Sequence, residues 1–150
     1  MYKTGITIAT DGSHHNGNGG WAVVISDASG KLLKEGSGAA RNTTNNQMEL
    51  TAVIQAVKHI RAQAQQTQFT LATDSAYVAT GIQNFHKWEE MGFHTCGGKK
   101  VANLDLWMEL FREMRTRNIE LNVVKIKGHA NHPWNNRADE LAKAARLSLQ

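Results

Sequence analysis

Ile6-Thr7-Ile8-Ala9-Thr10-Asp11 alternates apolar and small polar residues and ends on an acid; Phe69-Thr70-Leu71-Ala72-Thr73-Asp74 does the same. The period of two predicts strands over 6–10 and 68–73, each delivering an aspartate just past its end. Glu49 and Asp139 fall near the starts of two helical patterns. Carboxylates carried on strand ends and helix starts can converge on one point, where they repel one another unless cations neutralise them. Such a cluster is a divalent-metal site, and the chemistry it suits is phosphodiester hydrolysis.

Around these two strands the remaining pattern falls into place. Residues 20–26 and 31–36 read as strands about the turn Asp27-Ala28-Ser29-Gly30, an antiparallel hairpin. A Gly-, Ser- and Asn-rich loop over 37–43 leads to a helix over 44–61. Its Leu50, Val53, Ile54, Val57 and Ile60 recur at helical spacing. Helical turns fill 75–90 with a break at Gly81, and 91–100 reads as loop. A helix spans 104–117 with Asn103 as its N-cap. Residues 119–125 form a fifth strand, 127–134 a loop, and 135–147 a last helix. The order βββαβααβα predicts an α/β fold, a mixed five-stranded sheet flanked by helices. The crossover between the strands at 6–10 and 68–73 predicts that these two pair in parallel.

A chain of 150 residues suits one domain, 1–150, and 41 % hydrophobic with 20 % charged residues marks it as globular rather than disordered. A net charge of +4 beside a local acidic cluster suits an anionic polymer bound around a metal centre, although a charge of that size also serves solubility alone. Cys96 is the sole cysteine, so no internal disulfide forms and a reducing compartment is expected. No cysteine pair accompanies the histidines at zinc-site spacing. The first residues carry no apolar leader, and no apolar run approaches the ~20 residues that span a bilayer. A cytoplasmic monomer without membrane contact is expected.

Five ordered blocks carry a family resemblance. They are Thr10-Asp11-Gly12-Ser13, Thr43-Thr44-Asn45-Asn46-Gln47-Met48-Glu49-Leu50, Thr73-Asp74-Ser75-Ala76-Tyr77-Val78, Val124-Lys125-Ile126-Lys127-Gly128-His129-Ala130 and Asn136-Arg137-Ala138-Asp139-Glu140-Leu141-Ala142. Together they resemble type 1 ribonuclease H in its stand-alone bacterial form, over almost the whole chain. The resemblance implies the ribonuclease H fold and an endonuclease that cuts the RNA strand of RNA–DNA hybrids, leaving 5′-phosphate and 3′-hydroxyl ends. It implies two Mg²⁺ ions, with Mn²⁺ as a substitute, held by Asp11, Glu49, Asp74 and Asp139. In that scheme Asp11 bridges both ions, Asp74 and Asp139 hold the one that activates water, and Glu49 serves the leaving-group side. His129 shuttles protons or helps product leave, work that suits an imidazole near neutral pH.

For the substrate, the resemblance points to Asn45, Asn46 and Gln47, short amides that both donate and accept and so suit 2′-hydroxyls. It adds Thr44 for a DNA-strand phosphate, Asn135, Trp88, and either Asn16 or Asn18 facing the RNA. Three departures from the family pattern stand out: the short His14–Gly20 loop without proline, Ala76 where glutamine is usual, and Glu89 and Glu90 where lysines are expected. The last predicts weaker, less salt-sensitive hybrid binding.

Each residue also has a local competitor. Asp11 could serve a turn, Glu49 and Asp139 a helix dipole, Asp74 an N-cap, His129 an ordinary loop, Thr43 to Asn46 a cap and Trp88 the core. The five blocks in order outweigh these. Two rival functions remain: another nuclease of the same fold, which lacks the Asn45–Glu49 block, and a non-catalytic hybrid-binding module, which predicts a missing carboxylate.

Overall fold

The computed structural model describes residues 5–94, 97–127 and 132–150. β1 (Thr7–His15) and β2 (Asn18–Ser26) form an antiparallel hairpin. The two residues between them, Asn16 (φ 50°) and Gly17 (φ 81°), both take the left-handed conformation that a two-residue hairpin turn requires. β1 therefore runs through Asp11 to His15 rather than ending at Thr10, and Asp11 is a strand residue, not a turn residue. The polar run Asp11–His15 hid this extension; the Asn-Gly pair was the sequence signal for it.

β3 (Leu32–Ala40) pairs antiparallel with β2 and also outruns its expected end at Gly36. Its tail of small residues is strand because Gly38 lies against the Trp21 ring, where a Cβ would meet indole atoms at 2.6 Å. α1 (Asn45–Lys58) opens on a capping box: Thr44 Oγ1 accepts from Gln47 N while the Gln47 side chain accepts from Thr44 N. Leu50, Val53, Ile54 and Val57 are buried on it as the spacing predicted. At roughly 1.5–3 kcal/mol for each buried side chain, that face fixes where Glu49 stands.

β4 (Thr67–Thr73) pairs in parallel with β1, and β5 (Ile119–Lys125) in parallel with β4, giving the sheet order β3-β2-β1-β4-β5. α2 (Ala76–Glu90) is unbroken. Gly81 does not interrupt it; it makes room for the Trp107 ring, which a Cβ would strike. α3 (Leu104–Thr116) follows, but Asn103 makes no cap bond and sits at φ 56°. α4 (Pro133–Leu147) starts two residues before the expected Asn135, because Pro133 takes the first helical position, where its missing N–H costs nothing.

Among the described residues the hydrophobic side chains pack in two clusters. The larger joins β1 (Ile8), α1, β4 (Phe69, Leu71), α2 (Phe85) and α3 (Trp107, Leu110). The smaller is made of short side chains, Ala9, Ala22 and Val24 under Ala138 and Ala142 of α4. Ile8 and Ala9 are neighbours in β1 yet belong to different clusters, so the sheet is covered on both faces. None of the described helices is long and apolar enough to cross a membrane.

Candidate active site

The β1–β4 ladder pairs Thr7 with Thr70 and Ala9 with Ala72. Continued by two residues, that register brings Asp11 level with Asp74, where β4 has ended and β1 goes on. Side chains at matching positions of adjacent parallel strands lie on the same face. Glu49 enters from α1, whose N-terminal turns lie over β1. One carboxylate oxygen from each of Asp11, Glu49 and Asp74 falls within 4.8 Å of the other two.

The electrostatics of this group are unfavourable as it stands. Asp11 is 7 % exposed and Glu49 5 %, while Asp74 is open to solvent. Burial, then a hydrogen bond with the Asp139 side chain, then the charges of Asp74 and Asp139 push the Asp11 carboxyl up to about 8; the Gly12 N–H pulls the other way. Burial and then the charges of Asp11 and Asp74 push Glu49 up to about 9. Glu49 Oε2 is buried with no hydrogen-bond partner. A buried carboxylate oxygen left unpaired is costly, so without a cation to meet it the group holds a proton instead. Oxygen donors this close, short of positive charge and partly open on the Asp74 side, fit a hard divalent cation that keeps some of its waters.

Asp139 joins from α4 through its hydrogen bond to Asp11. It lies in the second turn of α4, not at its start, and its Oδ2 is 3.0 Å from Lys143 Nζ one turn further on. Arg146 Nε donates to Ser13 Oγ at 2.8 Å, tying α4 to β1 two residues beyond Asp11. Asp74 does not cap α2: Ser75 does, its Oγ accepting from Val78 N at 3.1 Å.

The expected substrate residues differ in what they are already bound to. Asn45 and Asn46 are exposed at the start of α1, beside the cap Thr44. Gln47 is committed: Oε1 accepts from Thr43 Oγ1 and Thr44 N, both at 3.1 Å, and Nε2 donates to Asn103 Oδ1 at 3.3 Å. Asn135 Nδ2 donates to the Ala72 carbonyl at 3.0 Å. Asn16 is exposed in the hairpin turn. Trp88 is half-buried, edge-on to Trp107 at 5.4 Å and to Phe85 at 6.4 Å. His129 lies outside the described residues. The sequence reading missed Tyr77, Asn103 and Lys143 as neighbours of the site. Only the Asp139/Lys143 spacing of four could have been read as a pair.

A carboxylate cluster where two parallel strands part, on a mixed five-stranded sheet, is the arrangement a metal-dependent nuclease uses. The chain belongs to the RNase H family, whose model matches residues 3–146. It is 43 % identical over 141 residues to the ribonuclease H of Paracoccus denitrificans (strain Pd 1222), covering 90 % of this chain and 88 % of that one. It is 43 % identical over 140 residues to the ribonuclease H of Hahella chejuensis (strain KCTC 2396), covering 91 % and 90 %. Among solved structures it is similar to LC9-RNase H1, a type 1 RNase H with the type 2 active-site motif (TM-score 0.78, 28 % identity, 97 % of this chain and 73 % of that one). It is also similar to LC11-RNase H1 in complex with RNA/DNA hybrid (TM-score 0.76, 25 % identity, 96 % and 98 %).

Proposed function

We propose that this protein hydrolyses the RNA strand of RNA–DNA hybrids, with Asp11, Glu49, Asp74 and Asp139 holding two Mg²⁺ ions. The observation that carries the reading is the set of three carboxylate oxygens within 4.8 Å of one another, one of the residues having a buried oxygen without a partner. Asp11 is the member that meets all the others, which suits it to be the shared ligand. Bound there, the ions supply an activated water, charge neutralisation on the phosphoryl oxygens and stabilisation of the departing 3′-oxygen. The products carry 5′-phosphate and 3′-hydroxyl ends. His129 moves protons or helps product out, since an imidazole exchanges a proton readily near neutral pH.

The chain's own residues orient the hybrid. Asn45 and Asn46 offer amides to the 2′-hydroxyls that mark an RNA strand. Asn135 contributes its side-chain amide, Asn16 reaches from the hairpin turn, Thr44 meets a phosphate and the outer edge of Trp88 meets the other strand. Similarity to a protein bound to RNA/DNA hybrid supports this choice of substrate. All of residues 1–150 would act as one catalytic domain, a monomer in a reducing compartment such as the cytoplasm. A non-catalytic hybrid-binding module is the weaker reading, because such a module has no need to keep four carboxylates.

The test is incubation with a labelled RNA–DNA hybrid, double-stranded RNA and double-stranded DNA, each with Mg²⁺ or with EDTA. The expected result is shortening of the RNA strand of the hybrid alone, with Mg²⁺ alone. A hybrid left whole in Mg²⁺ overturns the proposal.

A further inference from the structure

Three segments meet beside the site through one side-chain hydroxyl. Tyr77, in the first turn of α2 and three residues after Asp74, accepts from Asn103 Nδ2 and from Trp107 Nε1, both at 3.0 Å. Its own hydroxyl proton is directed to the Ala102 carbonyl at 3.5 Å. Asn103 Oδ1 in turn accepts from Gln47 Nε2 at 3.3 Å. Gln47 closes the capping box that starts α1, next to exposed Asn45 and Asn46. A continuous chain of hydrogen bonds thus runs from the helix that follows Asp74, through Asn103, to the helix that carries Glu49.

We infer that the Tyr77 hydroxyl is a positioning group for substrate: it orients the Asn103 amide, and through it the Gln47 amide and the start of α1 that meets the hybrid. Two features favour this over a packing role. The Tyr77 ring is already held against Trp107, with centroids 5.5 Å apart, so the fold needs the ring and the network needs the oxygen. Asn103 stands at φ 56°, a conformation that asparagine tolerates but glycine takes more easily. An asparagine there, without a capping bond to α3, spends its side chain on Gln47 and Tyr77 instead. Polar networks of this kind fix one arrangement when every member is satisfied.

The inference rests on the hybrid-cleaving reading for its kinetic test, and a second readout is independent of that reading. Tyr77→Phe keeps the ring and removes the oxygen. KM for the hybrid should rise about five- to tenfold, the worth of one hydrogen bond, with kcat within about twofold. In the metal-free, substrate-free protein the Gln47 side-chain amide resonances should shift in the NMR spectrum. Asn103→Gly relieves the backbone and deletes the amide; it should melt no lower than the wild type yet show the same rise in KM. If Tyr77→Phe leaves KM or the Gln47 amide unmoved, the inference fails, and Asn103→Gly impaired alone would mean that Asn103 acts by itself. Should the wild type not cleave hybrid, the cleavage reading fails, and the Gln47 resonances still decide whether the hydroxyl orients the amide.

Discussion

Gly12 lies directly beneath the backbone of Glu49: a Cβ on Gly12 would stand 2.7 Å from the Glu49 nitrogen and 3.0 Å from the Met48 carbonyl carbon. The neighbours are backbone atoms of a helix, which cannot swing aside as a side chain would. The residue after Asp11 therefore sets how closely α1 approaches β1, and so how far Glu49 stands from Asp11. Gly12→Ala is expected to push α1 outward, lowering stability by about 1–3 kcal/mol as overpacking does. Cleavage should fall much further than stability, because Glu49, proposed to hold metal, moves with the helix. A melting curve and a Mg²⁺-dependent cleavage assay on the same sample check both; normal activity in a destabilised variant would show that the contact governs packing only.

The carboxyls of Asp11 and Glu49 make the metal-free protein sensitive to pH, with a definite sign. Asp11 is raised from 3.8 to about 8 and Glu49 from 4.5 to about 9. Between the lower and upper values the folded chain holds protons that the unfolded chain has released. Their contribution is therefore neutral at acid pH and becomes destabilising as pH rises through that window. The difference in melting temperature between Asp11→Asn and the wild type, measured in EDTA, should grow in favour of the variant from pH 4 to pH 9. Mg²⁺ should reverse it for the wild type, and Asp11→Asn should not cleave. A flat difference across that range would mean that the carboxyls are not crowded.

The sequence carried the elements that own a hydrophobic face. The 3.6 period of Leu50, Val53, Ile54 and Val57 located α1, and the alternation of Ile6 to Thr10 located β1. It was poorer where small or polar residues do the packing. The far ends of β1 and β3 read as loop, since a glycine under Trp21 and an aspartate in mid-strand leave no alternation to follow. Gly81 read as a break because the Trp107 ring that occupies its missing Cβ comes from a distant segment. Motif order singled out the four acids, and the strand register sets two of them, Asp11 and Asp74, side by side. Tyr77 and Asn103 were not legible, because a hydrogen bond between segments leaves no periodicity; Lys143 was legible only as the residue four after Asp139.

Lys143 is paired with Asp139, one of the acids proposed to hold metal. Its ammonium lies 3.0 Å from Asp139 Oδ2, one helical turn away, in a pair roughly half-exposed on both sides (55 % and 42 %). Such exposed pairs add little to stability, about 0–1 kcal/mol, and are screened by salt. If an ion binds there as proposed, the same ammonium would both repel the ion and hold one of the acids proposed as its ligands. Lys143→Met is expected to leave the melting temperature in EDTA almost unchanged while lowering, a few-fold, the Mg²⁺ concentration needed for half-maximal thermal stabilisation. A midpoint that rises, or does not move, would assign Lys143 to helix support.

The two acids at the end of α2 differ in what they are bound to, and so in what each is expected to do to hybrid binding. Glu89 is held by Arg115 Nη2 through both carboxylate oxygens at 2.9 Å, with His86 Nδ1 3.4 Å away. It thereby neutralises a cation of α3 and braces α2 against α3. Glu90 is exposed at the last residue of α2. A phosphate approaching that end meets the Glu90 charge, and each cation that instead engages a phosphate contributes about 0.7–0.9 to the slope of log K against log salt. Glu90→Lys is therefore expected to tighten hybrid binding at low salt and steepen the slope by about 1. Glu89→Lys should set two cations against each other and lower the melting temperature. Binding titrations with Ca²⁺ in place of Mg²⁺ over a range of salt distinguish the two: equal slopes for Glu90→Lys and the wild type would mean that the hybrid does not pass that end of α2.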